Sequence, residues 1–302
     1  MDSSLPMGGP LVVLNPVANR GKMQRYRELA RGKAEDEQAE YIETGRPGEA
    51  EERARQAASE GRPVVVVGGD GSVHEVVNGL LASGRRVPLG IVAAGSGNDF
   101  AWNTLQLPRD PEAAFERAFH GTLIDVDAGQ INGRYFANAF SVGLDADIAE
   151  AAHRLRRWPF MSGSRLYYSA TLKQLLFGYQ RCPHLSFKLD DCEWMEMSRY
   201  VLLAVSNGPT YGGGFRINPT ADPTDGWFHI CAIDYTPLLR ALQLLPVVQK
   251  GEHRGVPEAR FFQAQRVQIK SQSPVSLQMD GETSRAQSYQ AEVLPGALWV
   301  RV

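Results

Sequence analysis

The chain has 302 residues, 43% of them hydrophobic and 22% charged, with a formal net charge of −2, which is room for one or two globular domains of ordinary composition. The near-neutral balance argues against a broad nucleic-acid footprint, and no run approaches the roughly 18 apolar residues of a membrane span. The scattered cysteines Cys182, Cys192 and Cys231 form neither a zinc spacing nor a disulfide framework, so free thiols in a reducing cytosol are expected.

Met1 to Pro10 lacks the basic start and apolar run of a secretory leader. Leu11 to Leu14 reads as a buried strand closing on Asn15-Pro16, with Gly21-Lys22 in the loop beyond and a helix from Met23 to Lys33. Ala39 to Ile42 reads as a second strand, Thr44 to Gly48 as a turn, and Glu49 to Glu60 as an exposed helix. Val64 to Val67 is a β-branched run without alternation, so a strand buried on both faces is expected. It runs into Gly68-Gly69-Asp70-Gly71-Ser72, and apolar residues at helical spacing follow from Val73 to Leu81. Leu89 to Ala93 repeats the pattern, ending in Gly95-Ser96-Gly97-Asn98-Asp99, with a helix through Phe100 and another from Pro111 to Phe119. Strand and helix alternate, so residues 1–124 are expected to form an α/β domain on a mainly parallel sheet.

After Gly121 the pattern changes. Short segments at Leu123 to Ala128, Arg134 to Ala139, Leu185 to Leu189, Trp194 to Val205, Trp227 to Asp234, Arg266 to Ser271 and Ser276 to Asp280 read as strands. Turns such as Asn132-Gly133 and Asp190-Asp191 separate them. Helical insertions fall near Ile148 to Tyr179 and Pro237 to Lys250. The expectation is an antiparallel β-sandwich over 125–292, with 293–302, containing a strand near Leu298 to Val302, returning to the first domain.

The glycine turns carry the chemistry. Glycine lets a backbone approach a phosphate, and the helix that follows offers free amides and a positive dipole end. Asp70 would repel a phosphate but suits Mg²⁺ or its waters. One such turn is as readily a tight strand-to-helix connection with no ligand. A second turn of the same kind, and Asn15 to Asn19 closing a third strand, change that: loops at the C-terminal ends of parallel strands converge on one crevice. Neither Walker A nor the dinucleotide glycine pattern is present.

Gly68-Gly69-Asp70-Gly71-Ser72 with Val73-His74-Glu75-Val76-Val77-Asn78-Gly79-Leu80 resembles the signature of the diacylglycerol kinase catalytic-domain family, which includes bacterial lipid kinases and sphingosine kinases. Asn15-Pro16 with Asn19-Arg20-Gly21-Lys22 resembles its first loop and Gly95 to Ala101 its third motif. Asn207 to Gly214 is similar to its Gly-rich strand turn, Pro219 to Gly226 to its acidic loop, and Asp280-Gly281-Glu282 to its late catalytic motif. The motifs run in family order from residue 11 to 282. Ser72 stands where Thr is usual and His74 where Asn is common, His74 being on the bland view a helix-surface histidine.

The resemblance implies an ATP- and Mg²⁺-dependent kinase acting on a lipid hydroxyl. Asn15, Pro16, Asn19, Thr44, Gly68, Gly69, Asp70, Gly71, Ser72, His74, Gly95, Ser96 and Asn98 would contact the nucleotide, with Asp70 acting through the catalytic Mg²⁺. Glu282 would accept the hydroxyl proton, supported by Asp280, and a structural Mg²⁺ would sit at Asp222, Asp225 and the Trp227 carbonyl. Taken alone, Asp280 to Glu282 reads as an exposed hairpin turn and Asp222 to Asp225 as a solvated one. The rival readings are a kinase of a soluble substrate like the NAD kinases, and a module that senses ATP without turnover.

The partners expected are ATP and a lipid met peripherally at the membrane surface by a cytoplasmic protein, with no nucleic acid. The oligomeric state is unread, a homodimer among the options. The basic and aromatic run Arg154 to Met161 is a candidate membrane contact and Leu166 to Phe177 a candidate lipid-pocket wall. His120, His153, His184, His229 and His253 form no ligand spacing.

Overall fold

The computed structural model describes residues 8–144 and 163–302; Arg154 to Met161 and His153 lie outside them. The chain divides into two compact units, Met1–Ala128 with Pro295–Val302, and Gly129–Leu294.

In the first unit, β1 (Leu11–Leu14), β2 (Glu40–Glu43), β3 (Val64–Gly68) and β4 (Pro88–Ala93) alternate with α1 (Gln24–Asp36), α2 (Glu49–Ser59), α3 (Asp70–Ala82) and α4 (Pro111–His120). All pairings are parallel, in the order β2-β1-β3-β4. Beyond β4 lies the end of the last strand, β13 (Glu282–Arg301), through Trp299 beside Pro88 and Val300 beside Leu89. Both sheet faces are covered, which is why β1 and β3 carry apolar residues without alternation. Val12, Leu14, Val65 and Val67 pack with Met23, Ala30, Ala34, Phe115 and Phe119 of the α1 and α4 layer. The α2 and α3 layer crosses at Gly79, where an added Cβ would stand 2.3 Å from the Glu51 carbonyl oxygen, so only glycine lets the two backbones meet.

In the second unit the pairings are antiparallel. β5 (Leu123–Ile131) and β6 (Arg134–Phe136) form a hairpin through Asn132 and Gly133, at φ 47° and 85°. β7 (Ala139–Gly143), β9 (Ser198–Ser206), β10 (Phe228–Asp234) and β11 (Ala259–Ala264) pair in that order. β8 (His184–Leu189) pairs with β9 and with β12 (Arg266–Met279), which also pairs with β7 and β13. Alternate residues of these strands face two cores. Phe136, Phe140, Phe187, Leu203, Val205, Phe228 and Ile269 share one. Leu202, Ala204, Cys231 and Ile233 face the other, covered by α5 (Gly163–Phe177) and α6 (Leu238–Lys250).

Several elements differ from the sequence expectation. The helix expected through Phe100 is a single π-helical segment, Asp99–Thr104. The segments expected at Arg266 to Ser271 and Ser276 to Asp280 are one strand with a register shift between Lys270 and Val275. β9 begins at Ser198, not Trp194. β11, and β13 before Leu298, had no counterpart in the expectation: β13 is exposed at Glu282 to Arg285, Gln287, Ser288 and Gln290, so its polar run hides the strand period. Cys182 and Cys231 are buried free thiols, and Cys192 is exposed.

Candidate functional site

In the first unit, each parallel strand delivers one of the singled-out loops to the same sheet edge. Register places Leu14 beside both Glu43 and Val67, and Gly68 beside Ala93. Thr44, Asn15, Gly68-Gly69 and Ala94-Gly95 therefore succeed one another along the C-terminal edge. The connections after β1 and β3 lead to helices of opposite layers, so the edge has its topological switch between those two strands.

Asn15 and Ser72 meet at that switch. Asn15 Nδ2 donates to Ser72 Oγ at 2.9 Å, while Asn15 Oδ1 accepts from the Val17 amide at 3.1 Å. The loop beyond is exposed, with Asn19, Arg20 and Gly21 all at positive φ (47°, 56°, 78°). Pro16 leads into it, and Thr44 donates its amide to the Leu14 carbonyl at 2.9 Å.

The two glycine turns touch. A Cβ on Gly95 would stand 2.6 Å from the Gly69 Cα, and one on Gly68 2.5 Å from Ser72 Oγ. Neither position tolerates a side chain without displacing the other turn or the helix start. Asp70, the first residue of α3, accepts the Asn98 amide at its Oδ2 at 2.8 Å. Asn98, at φ 56°, in turn closes its own loop, accepting from the Gly95 amide at 3.0 Å and donating to the Gly95 carbonyl at 2.8 Å. Ser96 stands exposed at the tip. Asp70 thus welds one turn to the other at the N-terminus of α3, the end of a helix whose first amides and dipole favour an anion. His74 is 3% exposed rather than on the helix surface, its Nε2 3.3 Å from Asn78 Nδ2.

Sequence reasoning passed over Glu75. Its carboxylate accepts the Gly48 and Ala50 amides at 3.0 and 3.2 Å, capping α2 from α3 and fixing the loop that leaves Thr44. A carboxylate set among Val73, Val76 and Val77 was the available signal.

In the second unit, Asp280 and Gly281, at φ 46° and 96°, form a two-residue hairpin turn between Met279 and Glu282. The Asp280 carboxylate accepts the amides of Ala137 at 2.8 Å, Ala139 at 3.0 Å and, more loosely, Asn138 at 3.3 Å. Glu282 opens β13 and is exposed, and its carboxylate has no hydrogen bond or ion pair among the described residues. The segment held by Asp280 holds the Gly-rich loop in its turn. The Asn138 carbonyl accepts the Asn207 amide at 2.8 Å, Asn138 Nδ2 donates to the Thr210 carbonyl at 2.9 Å, and Asn207 Nδ2 donates to the Ala137 carbonyl at 3.0 Å. Gly212, Gly213 and Gly214 all have positive φ, letting Tyr211 and Phe215 bridge back to back. Both rings line an apolar cavity of about 100 Å³ under α5 and α6, with Leu175, Leu202, Ile233 and Leu245. Leu175 thus places part of the expected Leu166 to Phe177 segment in a cavity wall.

The acidic loop is occupied by its own hydrogen bonds. Asp222 Oδ1 accepts the Thr224 amide and hydroxyl at 2.9 and 2.7 Å. Asp225 Oδ1 accepts the Trp227 amide at 2.9 Å, and its Oδ2 lies 2.9 Å from His229 Nε2. His229 is thus a partner of this loop, which its sequence spacing did not show. No group of three or more His, Cys, Asp or Glu side chains gathers at metal-ligating distance among the described residues.

Comparison with known proteins agrees with both units. Residues 10–131 match the family described as diacylglycerol kinase catalytic domain, and residues 138–302 the YegS C-terminal NAD kinase beta sandwich-like domain. A diacylglycerol kinase of Mycobacterium tuberculosis is 31% identical over 244 residues, 78% of this chain and 75% of its own. One of Bacillus subtilis is 28% identical over 281 residues, 90% of this chain and 88% of its own. A Chromohalobacter salexigens protein named "Probable lipid kinase YegS-like" is 32% identical over 254 residues, 81% and 78% of the two chains. The crystal structure of a diacylglycerol kinase from Bacillus anthracis shares the fold, with a TM-score of 0.72 at 19% identity over 97% of this chain and 96% of that one. The chain belongs to the diacylglycerol kinase catalytic-domain family, a family of lipid kinases, and pairs that domain with the C-terminal β-sandwich-like domain.

Proposed function

We propose that the protein transfers the γ-phosphoryl group of ATP to the hydroxyl of a diacylglycerol-like or sphingoid-like lipid. The observation that carries the reading is the welded pair of glycine turns, joined by the Asp70–Asn98 hydrogen bond at the edge where β1 and β3 diverge. Backbone amides and a helix N-terminus at one sheet edge suit a polyphosphate, and phosphoryl transfer needs positioning and charge stabilisation above all.

In this reading Asn15, Pro16, Asn19, Thr44, Gly68 to Ser72, His74, Gly95, Ser96 and Asn98 bind and orient ATP. Buried His74 acts by supporting α3 rather than by direct contact. The donors fit Mg²⁺, a hard cation that takes carboxylate and carbonyl oxygens. Asp70 would hold it beside the nucleotide, and Asp222, Asp225 and the Trp227 carbonyl would hold a second, structural one. Asp222 keeps Oδ2 uncommitted for this, whereas Asp225 would have to share its oxygen with His229. When bound, Mg²⁺ would neutralise phosphate charge.

Glu282 is proposed as the base that takes the lipid hydroxyl proton. Its exposed, uncommitted carboxylate supports the role. Asp280, fully engaged with backbone amides, sets the turn that presents Glu282. The apolar cavity under α5 and α6 favours a lipid over a soluble acceptor, with room for the end of a chain. Leu176 and Phe177, exposed at the end of α5 to 48% and 80%, support peripheral contact with the cytoplasmic membrane surface.

Kinetics of Asp70→Asn and Glu282→Gln test the assignment. Asp70→Asn should lose its Mg²⁺ dependence together with most of kcat. Glu282→Gln should bind ATP like the parent while kcat falls by about 10²–10⁴. A Glu282→Gln enzyme of parental kcat would remove Glu282 from the mechanism. ATP binding without turnover by the intact chain would favour the sensing module.

A further inference from the structure

β12 and β13 pair residue for residue except at one place. Lys270 faces Ser288 and Val275 faces Ala286, so Ser271, Gln272, Ser273 and Pro274 stand against Gln287 alone. Ser271 stays paired with Leu185 of β8, while Gln272, Ser273 and Pro274 leave the ladder, as in an enlarged bulge, and bulges are favoured where a strand must re-aim side chains. Three bonds hold it: Ser271 Oγ reaches the Ser273 carbonyl at 2.6 Å and, more loosely, the Gln287 carbonyl at 3.3 Å, and Arg285 Nε donates to the Pro274 carbonyl at 3.1 Å. The expelled residues form one wall of a surface cavity of about 360 Å³, and the Arg181 to His184 segment that leads into β8 forms the other.

The lining is basic and polar. Arg181, His184 and Arg285 contribute to it, with Gln272, Ser273 and Ser276, and no carboxylate does among the described residues. The side chains of Arg181 and His184 have no hydrogen-bond or ion-pair partner among the described residues, and the Arg285 side chain commits only its Nε, leaving two Nη groups uncommitted. Three other guanidinium groups of this unit each face a carboxylate: Arg240 that of Glu258, Arg260 that of Asp234 and Arg266 that of Asp191. Two guanidinium groups without a carboxylate partner among the described residues, an imidazole and neutral donors around one cavity form the donor set that takes a tetrahedral oxyanion, because the planar fork of arginine matches phosphate oxygens pairwise.

We propose that this cavity binds a phosphate group, carried on an anionic lipid headgroup or free in solution. Every lining residue lies in the second unit and apart from the residues assigned above to ATP, proton transfer or metal. The inference therefore stands independently of the kinase reading.

The test is binding of two probes at low salt: inorganic phosphate by titration calorimetry, and phosphatidylglycerol-in-phosphatidylcholine vesicles by sedimentation. Each is measured with the full chain and with Arg181→Gln/Arg285→Gln. Each arginine near a phosphate-rich surface is worth about fivefold in affinity, so the double variant should bind the true ligand about 25-fold more weakly. A loss confined to vesicles assigns a lipid headgroup, and a loss with inorganic phosphate assigns a free phosphate. Either supports the site, and comparison with the parent cancels any binding in the glycine turns. Ser273→Glu sets a carboxylate in the cavity while keeping the Arg285–Pro274 bond, and should give the same loss if the double variant fails to fold. Failure of the parent to bind either probe, or folded variants that bind both like the parent, would overturn the proposal.

Discussion

Asp280 and Glu282 are two residues apart and do opposite things. The Asp280 carboxylate is consumed by the amides of Ala137, Asn138 and Ala139, whose residues are nearly inaccessible. Asp280→Ala leaves those donors unpaired in the interior and should cost roughly 2–4 kcal/mol of stability. Glu282→Gln touches no internal bond and should stay within about 0.5 kcal/mol of the parent. Urea denaturation of both variants checks this, and equal losses would mean that Glu282 is also structural. His253 offers a second residue-scale prediction. Burial holds its imidazole below the usual value of 6.5, against the pull of the Ile217 carbonyl, which lies 3.0 Å from Nε2. The folded protein therefore keeps His253 neutral where the unfolded chain is already protonated. Stability should be full above pH 6.5 and fall as pH drops below it, and His253→Gln should flatten that slope in a pH series of thermal melts.

At the scale of elements, the strongest prediction concerns the α2–α3 crossing. Gly79→Ala drives a Cβ to 2.3 Å from the Glu51 carbonyl. The helices must part, at a cost of about 1–3 kcal/mol, although alanine raises the helix propensity of α3. Because Glu75 caps α2 from the same helix, loosening the crossing should also weaken nucleotide binding through the loop after Thr44; a parental melting temperature would refute the close-packing argument. The parallel strands were legible because burial on both faces leaves β1 and β3 uniformly apolar. The polar run at the start of β13 hid that strand, since exposed residues around Ser284 carry no period. In the glycine turns, residue types and order were visible, but not the Asp70–Asn98 bond that joins them across 28 positions, nor the Asp280 contacts reaching back to Ala137. Contacts of that sequence separation come from tertiary packing, which local pattern does not encode. The Asp225–His229 contact was missed for the opposite reason: a carboxylate and an imidazole four residues apart carry no fixed geometry until the chain between them is folded.

For the molecule as a whole, the family is one of lipid kinases and the chain folds into two compact units. One unit gathers glycine turns and amides on a parallel sheet edge. The other holds an apolar cavity and an exposed carboxylate at the head of a long strand. The central claim is that these parts serve phosphoryl transfer from ATP to a lipid hydroxyl. The direct measurement is transfer of radiolabel from γ-labelled ATP to a mixed-micelle panel of diacylglycerol, monoacylglycerol, phosphatidylglycerol, ceramide and sphingosine, with NAD as the soluble control. The account predicts one labelled lipid class, a label that depends on Mg²⁺ and is lost in Glu282→Gln, and no labelled NAD. Label on NAD with none on any lipid would contradict it.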